Sequence, residues 1–259
     1  MRRIEGSVLY LLALLAIPRA GGAQTDADVV GLMRQDGVAL PHFEWSNGTW
    51  ASVRVDSLPP LSAVIVRDST GRSDRFPIVE MLDVTDGYDN TGWRVQMSVP
   101  GDLRSQGYPR PRLGYMVSRT SGDVPFRRRP MNENDPLRSA MLDAIATGAN
   151  TVLPPVEVKA WEATLGVISV VFFEVGSGPG VVGCYGTITS GWYRNDWDAP
   201  RVATRQAGDC EKGVQHRSPL SLLERGGGLY VHVTVGGWEG ADYELWSLEG
   251  DVSRVARFP

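Results

Sequence analysis

Apolar and polar residues alternate along many short segments of this chain, and Gly, Pro, Asn or Asp residues separate those segments. A repeat of two residues is typical of β-strands that bury one face. The pattern therefore predicts a mainly β protein. The predicted strands are residues 38–45, 49–55, 63–67, 78–84, 93–99, 114–119, 156–162, 166–175, 182–193, 229–235, 243–248 and 252–258.

The clearest strand patterns lie in the second half of the chain. Residues 166–175 are apolar on both faces, which predicts a central strand that is covered on both sides. Residues 229–235 alternate, with apolar side chains at the odd positions and Tyr230, His232 and Thr234 between them. Antiparallel sheets that pack face to face, as in a β-sandwich, use both patterns.

A small propeller-like fold is the alternative to the sandwich. Trp50, Trp93, Trp197 and Trp246 are separated by 43, 104 and 49 residues, and repeats of roughly 40–50 residues are typical of propeller blades. However, these tryptophans share no common motif, and a predicted helix falls where a further blade would lie. The sandwich-like arrangement is therefore preferred.

Local signals predict one substantial helix and one hairpin turn. Asn134 or Asp135 can cap a helix that begins at Pro136, and apolar residues at helical spacing extend it over 136–147. Asn47-Gly48 predicts a type I′ turn between the first two strands, because both residues tolerate a positive φ.

Residues 26–35 are predicted to form a short entry helix. The whole pattern divides the chain into an N-terminal β lobe at 24–120, a linker with the helix at 121–150, and a C-terminal β lobe at 151–259. The two lobes are either separate or parts of a single domain.

The amino-terminal residues have the pattern of a secretory signal peptide. Arg2 and Arg3 precede an unbroken run of ten apolar residues at 8–17, and small residues at 21–23 precede Gln24. As a helix this run is about 15 Å long, too short to cross roughly 30 Å of hydrocarbon. We therefore expect cleavage after the small residues, a secreted or periplasmic protein, and no membrane span after cleavage.

Cys184 and Cys210 are the only cysteines in the chain. In an exported protein such a pair usually forms a disulfide bond. The bond would close a loop of about 27 residues and stabilise the fold by roughly 3–4 kcal/mol through the lost entropy of the unfolded chain. Two free thiols are the alternative.

Charge and motifs argue against several classes of function. The formal charge of −4 becomes −6 when residues 1–23, with three Arg and one Glu, are removed, and an acidic chain is a poor nucleic-acid binder. Residues 178–183 spell GxGxxG, but a strand-like segment follows where a dinucleotide site needs a helix. No cofactor is predicted, and no metal site is predicted because the three histidines lack ligand spacing.

Glu174 ends an otherwise apolar predicted strand, where a buried carboxyl group could act as a general acid. Glycosidase-like chemistry needs a second carboxylate nearby, and Asp196 or Asp198 could supply it across a loop. These residues are the candidate catalytic residues of a secreted hydrolase.

Tyr185, Tyr193, Tyr230 and His232 are the candidate ligand-binding residues. They would share one sheet face if their two strands were neighbours, and tyrosines offer flat apolar area with a polar tip that suits carbohydrate or peptide. Ordinary cross-strand pairing is the alternative. Because no catalytic motif accompanies them, the leading hypothesis is a non-catalytic binding or structural module of the cell envelope or exterior. A hydrolase, or a protein-interaction or inhibitor domain, is the alternative.

Overall fold

A computed structural model describes most of the chain from residue 28 onward. The described residues are 28–34, 37–54, 61, 63–67, 73–84, 90–95, 115–117, 123–147, 155–177, 186–208, 214–236 and 240–258. They form three sheets and one helix, and every strand pair is antiparallel. The predicted mainly β, antiparallel fold is confirmed.

The first sheet contains the first seven strands of the described chain. They are β1 (Asp28–Met33), β2 (Val38–Ser46), β3 (Thr49–Ser52), β4 (Ala63–Arg67), β5 (Ser73–Val84), β6 (Asn90–Val95) and β7 (Tyr115–Val117). Their order across the sheet is β1-β7-β4-β5-β6-β2-β3, and β1 also pairs with β2.

Strand β1 lies where the sequence predicted a short entry helix at 26–35. Its buried residues Val29, Val30 and Met33 follow helical spacing, which explains the wrong prediction. In the structure β1 pairs with β2 over its whole length and with β7 over three residues. Pairing with strands that are distant in sequence has overridden a weak local pattern.

The second and third sheets contain the remaining strands and carry the helix. The second sheet has the order β13-β12-β11-β10-β9 and the third has the order β17-β16-β15-β14-β8. The bounds are β8 (Asp123–Pro125), β9 (Arg127–Arg129), α1 (Pro136–Thr147), β10 (Pro155–Leu165), β11 (Ile168–Ser177), β12 (Thr187–Arg194), β13 (Arg201–Ala207), β14 (His216–Arg225), β15 (Gly228–Gly236), β16 (Ala241–Ser247) and β17 (Ser253–Phe258).

The second and third sheets form a sandwich around the largest apolar cluster. Phe172 and Trp192 of the second sheet pack with Leu222, Val231 and Trp246 of the third. Burying such side chains contributes roughly 1.5–3 kcal/mol each relative to leaving them in water. The sandwich-like prediction is confirmed, and the sheets of seven, five and five strands do not form the repeated four-stranded blades of a propeller.

Both outer faces of the sandwich are covered as well. Helix α1 packs Met141 and Ile145 against Phe173 of the second sheet. On the opposite side, Phe43 of the first sheet packs against Leu245 of the third sheet. The layers therefore run in the order helix, second sheet, third sheet, first sheet.

Residues 123–129, which the sequence assigned to a linker, form strands in both sheets of the sandwich. Strand β8 pairs with β14 and β9 pairs with β10, with buried Phe126 between them. Arg128 lies over the ring of Trp161, with its guanidinium carbon 4.5 Å from the ring centre. An arginine-rich segment is therefore tied to the sheet edge through cation–π contact and strand pairing.

Two predictions from local sequence signals are confirmed. Asn47 has a φ of 52° and Gly48 a φ of 79°, as the predicted turn requires. At the start of α1, Asp135 Oδ1 accepts a hydrogen bond of 2.9 Å from the backbone N–H of Leu137. Asp135, rather than Asn134, is thus the residue whose side chain caps the helix.

Candidate functional site

Glu174 lies near the end of β11, on the face that packs against the third sheet, and its side chain is only 3% exposed. His216 Nδ1 lies 2.8 Å from Glu174 Oε1, and the Arg217 backbone N–H donates a 2.8 Å hydrogen bond to Oε2. Lys159 Nζ lies 3.9 Å from Oε1. A buried carboxylate is thus surrounded by donors from two other strands.

Neither aspartate predicted as a partner lies beside Glu174. Asp196 follows the far end of β12, where Arg194 pairs with Val170. Val170 precedes Glu174 by four residues on β11, which is about 13 Å at a rise of roughly 3.3 Å per residue. Asp196 instead binds the Arg194 guanidinium at 2.7 Å, and those hydrogen bonds lower the pKa of Asp196. Asp198 lies farther along the same exposed turn.

A different carboxylate shares a partner with Glu174. Lys159 Nζ lies 2.9 Å from Glu157 Oε2 as well as 3.9 Å from Glu174 Oε1. The lysine therefore stands between two glutamates, one buried and one half-exposed. The structure does not bring Glu174 together with Asp196 or Asp198, the two partners that the sequence suggested.

A groove of about 330 Å³ opens between the first and third sheets beside His216. One part of its lining is apolar and the other carries polar side chains. The lining residues are Leu32, Met33, Arg34, Leu40, His216, Ser218, Leu220, Thr234, Gly236, Ala241 and Tyr243. His216 therefore borders the groove and also contacts Glu174 through Nδ1.

The hairpin of β1 and β2 forms one wall of the groove. Arg34 begins the turn of this hairpin, and its backbone N–H donates a 2.7 Å hydrogen bond to the Val38 carbonyl. A Cβ atom on Gly31 would lie 1.9 Å from the Leu40 carbonyl oxygen, so only glycine fits there. Gly31 therefore sets how closely β1 approaches Leu40, which lines the groove.

A β-bulge in the same hairpin turns His42 toward the third sheet. Val30 pairs with Phe43 and Gly31 pairs with Pro41, which leaves His42 as the extra residue. His42 is 1% exposed. Its backbone carbonyl accepts a 2.9 Å hydrogen bond from the N–H of Val53, so the bulge is held in place.

His42 meets His232 of β15 in the apolar layer between the first and third sheets. The His42 Nδ1 to His232 Nε2 distance is 3.2 Å. The His42 ring also stacks on Tyr243, with ring centres 3.7 Å apart, and on Phe258 at 5.0 Å. Burial and then the neighbouring histidine lower the pKa of His42 well below its usual value, and burial lowers the pKa of His232 to about 3.

The predicted ligand-binding face of Tyr185, Tyr193, Tyr230 and His232 does not form as one surface. Tyr193 lies on β12 of the second sheet and packs against the cluster under α1. Tyr230 and His232 lie on β15 of the third sheet and face the first sheet. Tyr185 lies outside the described residues. The strands concerned belong to different sheets, so their matching alternation did not bring the side chains together.

Cys184 and Cys210 also lie outside the described residues, so their disulfide stays a prediction. The described ladder between β12 and β13 ends with Gly208, whose N–H donates a 2.7 Å hydrogen bond to the Gly186 carbonyl. Cys184 precedes Gly186 by two residues, and Cys210 follows Gly208 by two residues. The two cysteines are therefore each two residues along the chain from a pair of hydrogen-bonded glycines.

The sequence reasoning missed most of the groove because it missed β14. Pro219 lies inside this strand, and proline usually argues against a strand interior. The structure accommodates it at an irregularity between Pro219 and Ser221. Leu220, Leu222 and Leu223 follow the proline, and this apolar run is the signal that would have indicated the strand.

The described residues contain no group of three or more His, Cys, Asp or Glu side chains that could hold a metal ion. Among those same residues, no helix is long and apolar enough to cross a membrane.

Comparisons with known proteins give no relative for this arrangement. The chain matches no protein-family model, and it has no significant match among curated proteins or among solved structures.

Proposed function

We propose that this protein is an exported, non-catalytic binding module whose ligand occupies the groove between the first and third sheets. The observation that carries the proposal is the groove itself, with its volume of about 330 Å³ and its divided lining. Small-molecule sites are concave and mostly apolar, with a few polar groups that fix orientation. Leu32, Leu40 and Leu220 supply the apolar part, and His216 and Ser218 supply part of the polar one.

The ligand class that we propose is a carbohydrate or a peptide. Ser218 and Thr234 form a directly opposed pair on β14 and β15, which places two hydroxyl groups side by side in the lining. Hydroxyl groups both donate and accept hydrogen bonds, as sugars and peptide groups require. Tyr243 adds aromatic area beside them.

The state of Glu174 supports binding rather than catalysis. Both carboxyl oxygens have hydrogen-bond partners within the protein: Oε2 accepts from the Arg217 N–H, and Oε1 lies 2.8 Å from His216 Nδ1. The side chain is 3% exposed, so it does not reach a ligand in the groove directly. A general acid must lie within hydrogen-bond reach of the group that it protonates.

A bulky side chain that fills the groove tests whether the ligand binds there. Ser218→Trp should weaken the binding of any ligand found in a screen of oligosaccharides and short peptides by at least about tenfold. Thr164→Trp, at an exposed position of β10, is the control and should leave affinity unchanged. Isothermal titration calorimetry measures both. A ligand that binds Ser218→Trp as tightly as the wild type places the site elsewhere and rejects the proposal.

Export is a separate part of the proposal, and the basic, apolar and small-residue pattern of residues 1–23 supports it. Mass spectrometry of the protein purified from its native source should find an amino terminus at Gln24. Without a reducing agent, the mass should fall by about 2 Da for the bond between Cys184 and Cys210. An intact Met1 together with two alkylatable thiols would contradict both parts.

The hydrogen bond between His216 and Glu174 favours a hydrolase as the second candidate. An imidazole that a buried carboxylate orients is a common general base, and His216 borders the groove. Nitrophenyl esters and glycosides are suitable first substrates. Activity that His216→Gln removes, while Thr164→Trp retains it, would favour the hydrolase. Absence of turnover by the wild type would leave the binding module as the better hypothesis.

A further inference from the structure

The charges around the groove select among its possible ligands. Arg34 and His216 line it, and the lining residues that the structure describes include no Asp or Glu. Glu174 is not one of these lining residues and interacts with His216, Arg217 and Lys159. The charge of Arg34 in this described lining is complementary to an anion.

The donors in the lining suit a carboxylate. A guanidinium group carries five N–H donors, so Arg34 can bind a ligand while keeping its contacts within the protein. Ser218 and Thr234 add two adjacent hydroxyl donors from β14 and β15. Arginine binds planar carboxylates through two parallel N–H···O bonds, and hydroxyl groups can donate further hydrogen bonds to the same carboxylate.

His216 adds a further polar contact. Its Nδ1 lies 2.8 Å from Glu174 Oε1, which leaves Nε2 as the ring nitrogen that can hydrogen-bond a ligand. A peptide carries a backbone N–H and carbonyl groups near its terminal carboxylate that can pair with this nitrogen, whereas the hydrocarbon chain of a fatty acid carries neither.

The apolar part of the lining suits an aliphatic side chain. Leu32 and Leu40 come from the first sheet, and Leu220 comes from the third. These leucines share the groove with the polar groups. A ligand that reaches both must have an apolar part close to its charge.

We propose that the groove captures the carboxyl terminus of a peptide whose last residue is aliphatic. The inference rests on the proposed binding function and names the ligand class of the same site. The carboxylate binds Arg34, Ser218 and Thr234, the last peptide group hydrogen-bonds His216 Nε2, and the last side chain lies against Leu40 and Leu220. Capture of a terminal carboxylate is a recurring mode of peptide recognition.

A matched pair of peptides tests the role of the carboxylate. The probe is acetyl-Gly-Ser-Ala-Leu with a free carboxyl group, and its partner is the same peptide with a carboxamide. The mature chain should bind the free acid at least about tenfold more tightly than the amide in calorimetry. Arg34→Gln should reduce the acid to the affinity of the amide, and Arg75→Gln, on an exposed position of β5, should not.

The outcomes separate this inference from the proposed function. Equal affinities for acid and amide, both lost in Ser218→Trp, overturn the carboxylate role but leave a binding groove. Decanoate that binds as tightly as the acid peptide, and equally well to His216→Phe, overturns the peptide class. No binding of the acid peptide to the wild type also overturns the inference. If a ligand binds Ser218→Trp with the same affinity as the wild type, the groove is not its binding site and both proposals are rejected.

Discussion

At the residue scale, His42 and His232 are buried as neutral side chains whose partners are other rings. Among the described residues, no acidic group forms a hydrogen bond or ion pair with either ring, and His232 Nδ1 is buried without a hydrogen-bond partner. In the unfolded chain both rings bind a proton near pH 6.5. In the folded protein burial lowers both pKa values, and that of His232 falls to about 3.

These lowered pKa values predict a loss of stability in mild acid. Below pH 6.5 the unfolded state binds more protons than the folded state, so the free energy of unfolding falls as the pH falls toward 3. Above pH 6.5 the contribution is constant. Between pH 7.5 and 5.0, His232 alone should account for about 2 kcal/mol. Urea unfolding at both pH values measures it.

His232→Phe provides the matched comparison for this pH effect. The variant removes one titrating ring and keeps an aromatic side chain in the same layer. The difference in stability between pH 7.5 and 5.0 should shrink by about 2 kcal/mol. An unchanged difference would show that other groups cause the acid sensitivity.

At the element scale, the elements that were predicted correctly have local sequence signals, such as a capping residue, within or next to them. Helix α1 has its cap at Asp135 and a proline at its first position, so neighbouring residues determine where it begins. Strand β1 has no such signal, and its pairing with β2 and β7 decides its conformation. The groove could not be predicted for the same reason, because β1, β2 and β14 through β16 meet there only after folding.

The cap of α1 gives a test at this scale. Asp135→Ala should destabilise the protein by about 1 kcal/mol, because the N–H of Leu137 loses its acceptor. The variant also removes the ion pair with Arg129, in which Nη2 lies 3.3 Å from Asp135 Oδ2. Asn134→Ala, at the other residue that sequence suggested as a cap, should change stability by less than about 0.5 kcal/mol. Thermal unfolding compares the two variants, and equal losses would contradict the assignment.

At the scale of the whole molecule, the described sheets divide the chain in sequence order. Strands β1 to β7 form the first sheet, and β8 to β17 form the two sheets of the sandwich. Ion pairs between described residues join these parts. Arg67 Nε lies 3.2 Å from Asp123 Oδ2, and Arg225 Nε lies 2.8 Å from Asp28 Oδ2. Burial raises the pKa of Asp123, and the nearby Arg67 and Arg225 oppose that rise.

This division predicts the behaviour of a fragment that contains residues 121–259. Both sheets of the sandwich and α1 lie entirely within it, so the fragment should retain β structure by circular dichroism. Leu223, Leu245 and Tyr230 would lose their cover from the first sheet. The fragment should therefore bind a dye that reports exposed apolar surface more strongly than the mature chain. An unfolded fragment, or one without added dye binding, would contradict the prediction.

The contact between Phe258 and His42 has a consequence for biosynthesis. Their rings stack 5.0 Å apart, although one lies in the last strand and the other in the second. A ribosome releases β2 long before β17, and nascent domains generally begin to fold from the amino-terminal side. The apolar face of the early strands therefore stays partly uncovered until β17 has been synthesised and has paired with β16. A chain truncated before β17 should leave this face exposed and should aggregate more readily than the chain that contains β17.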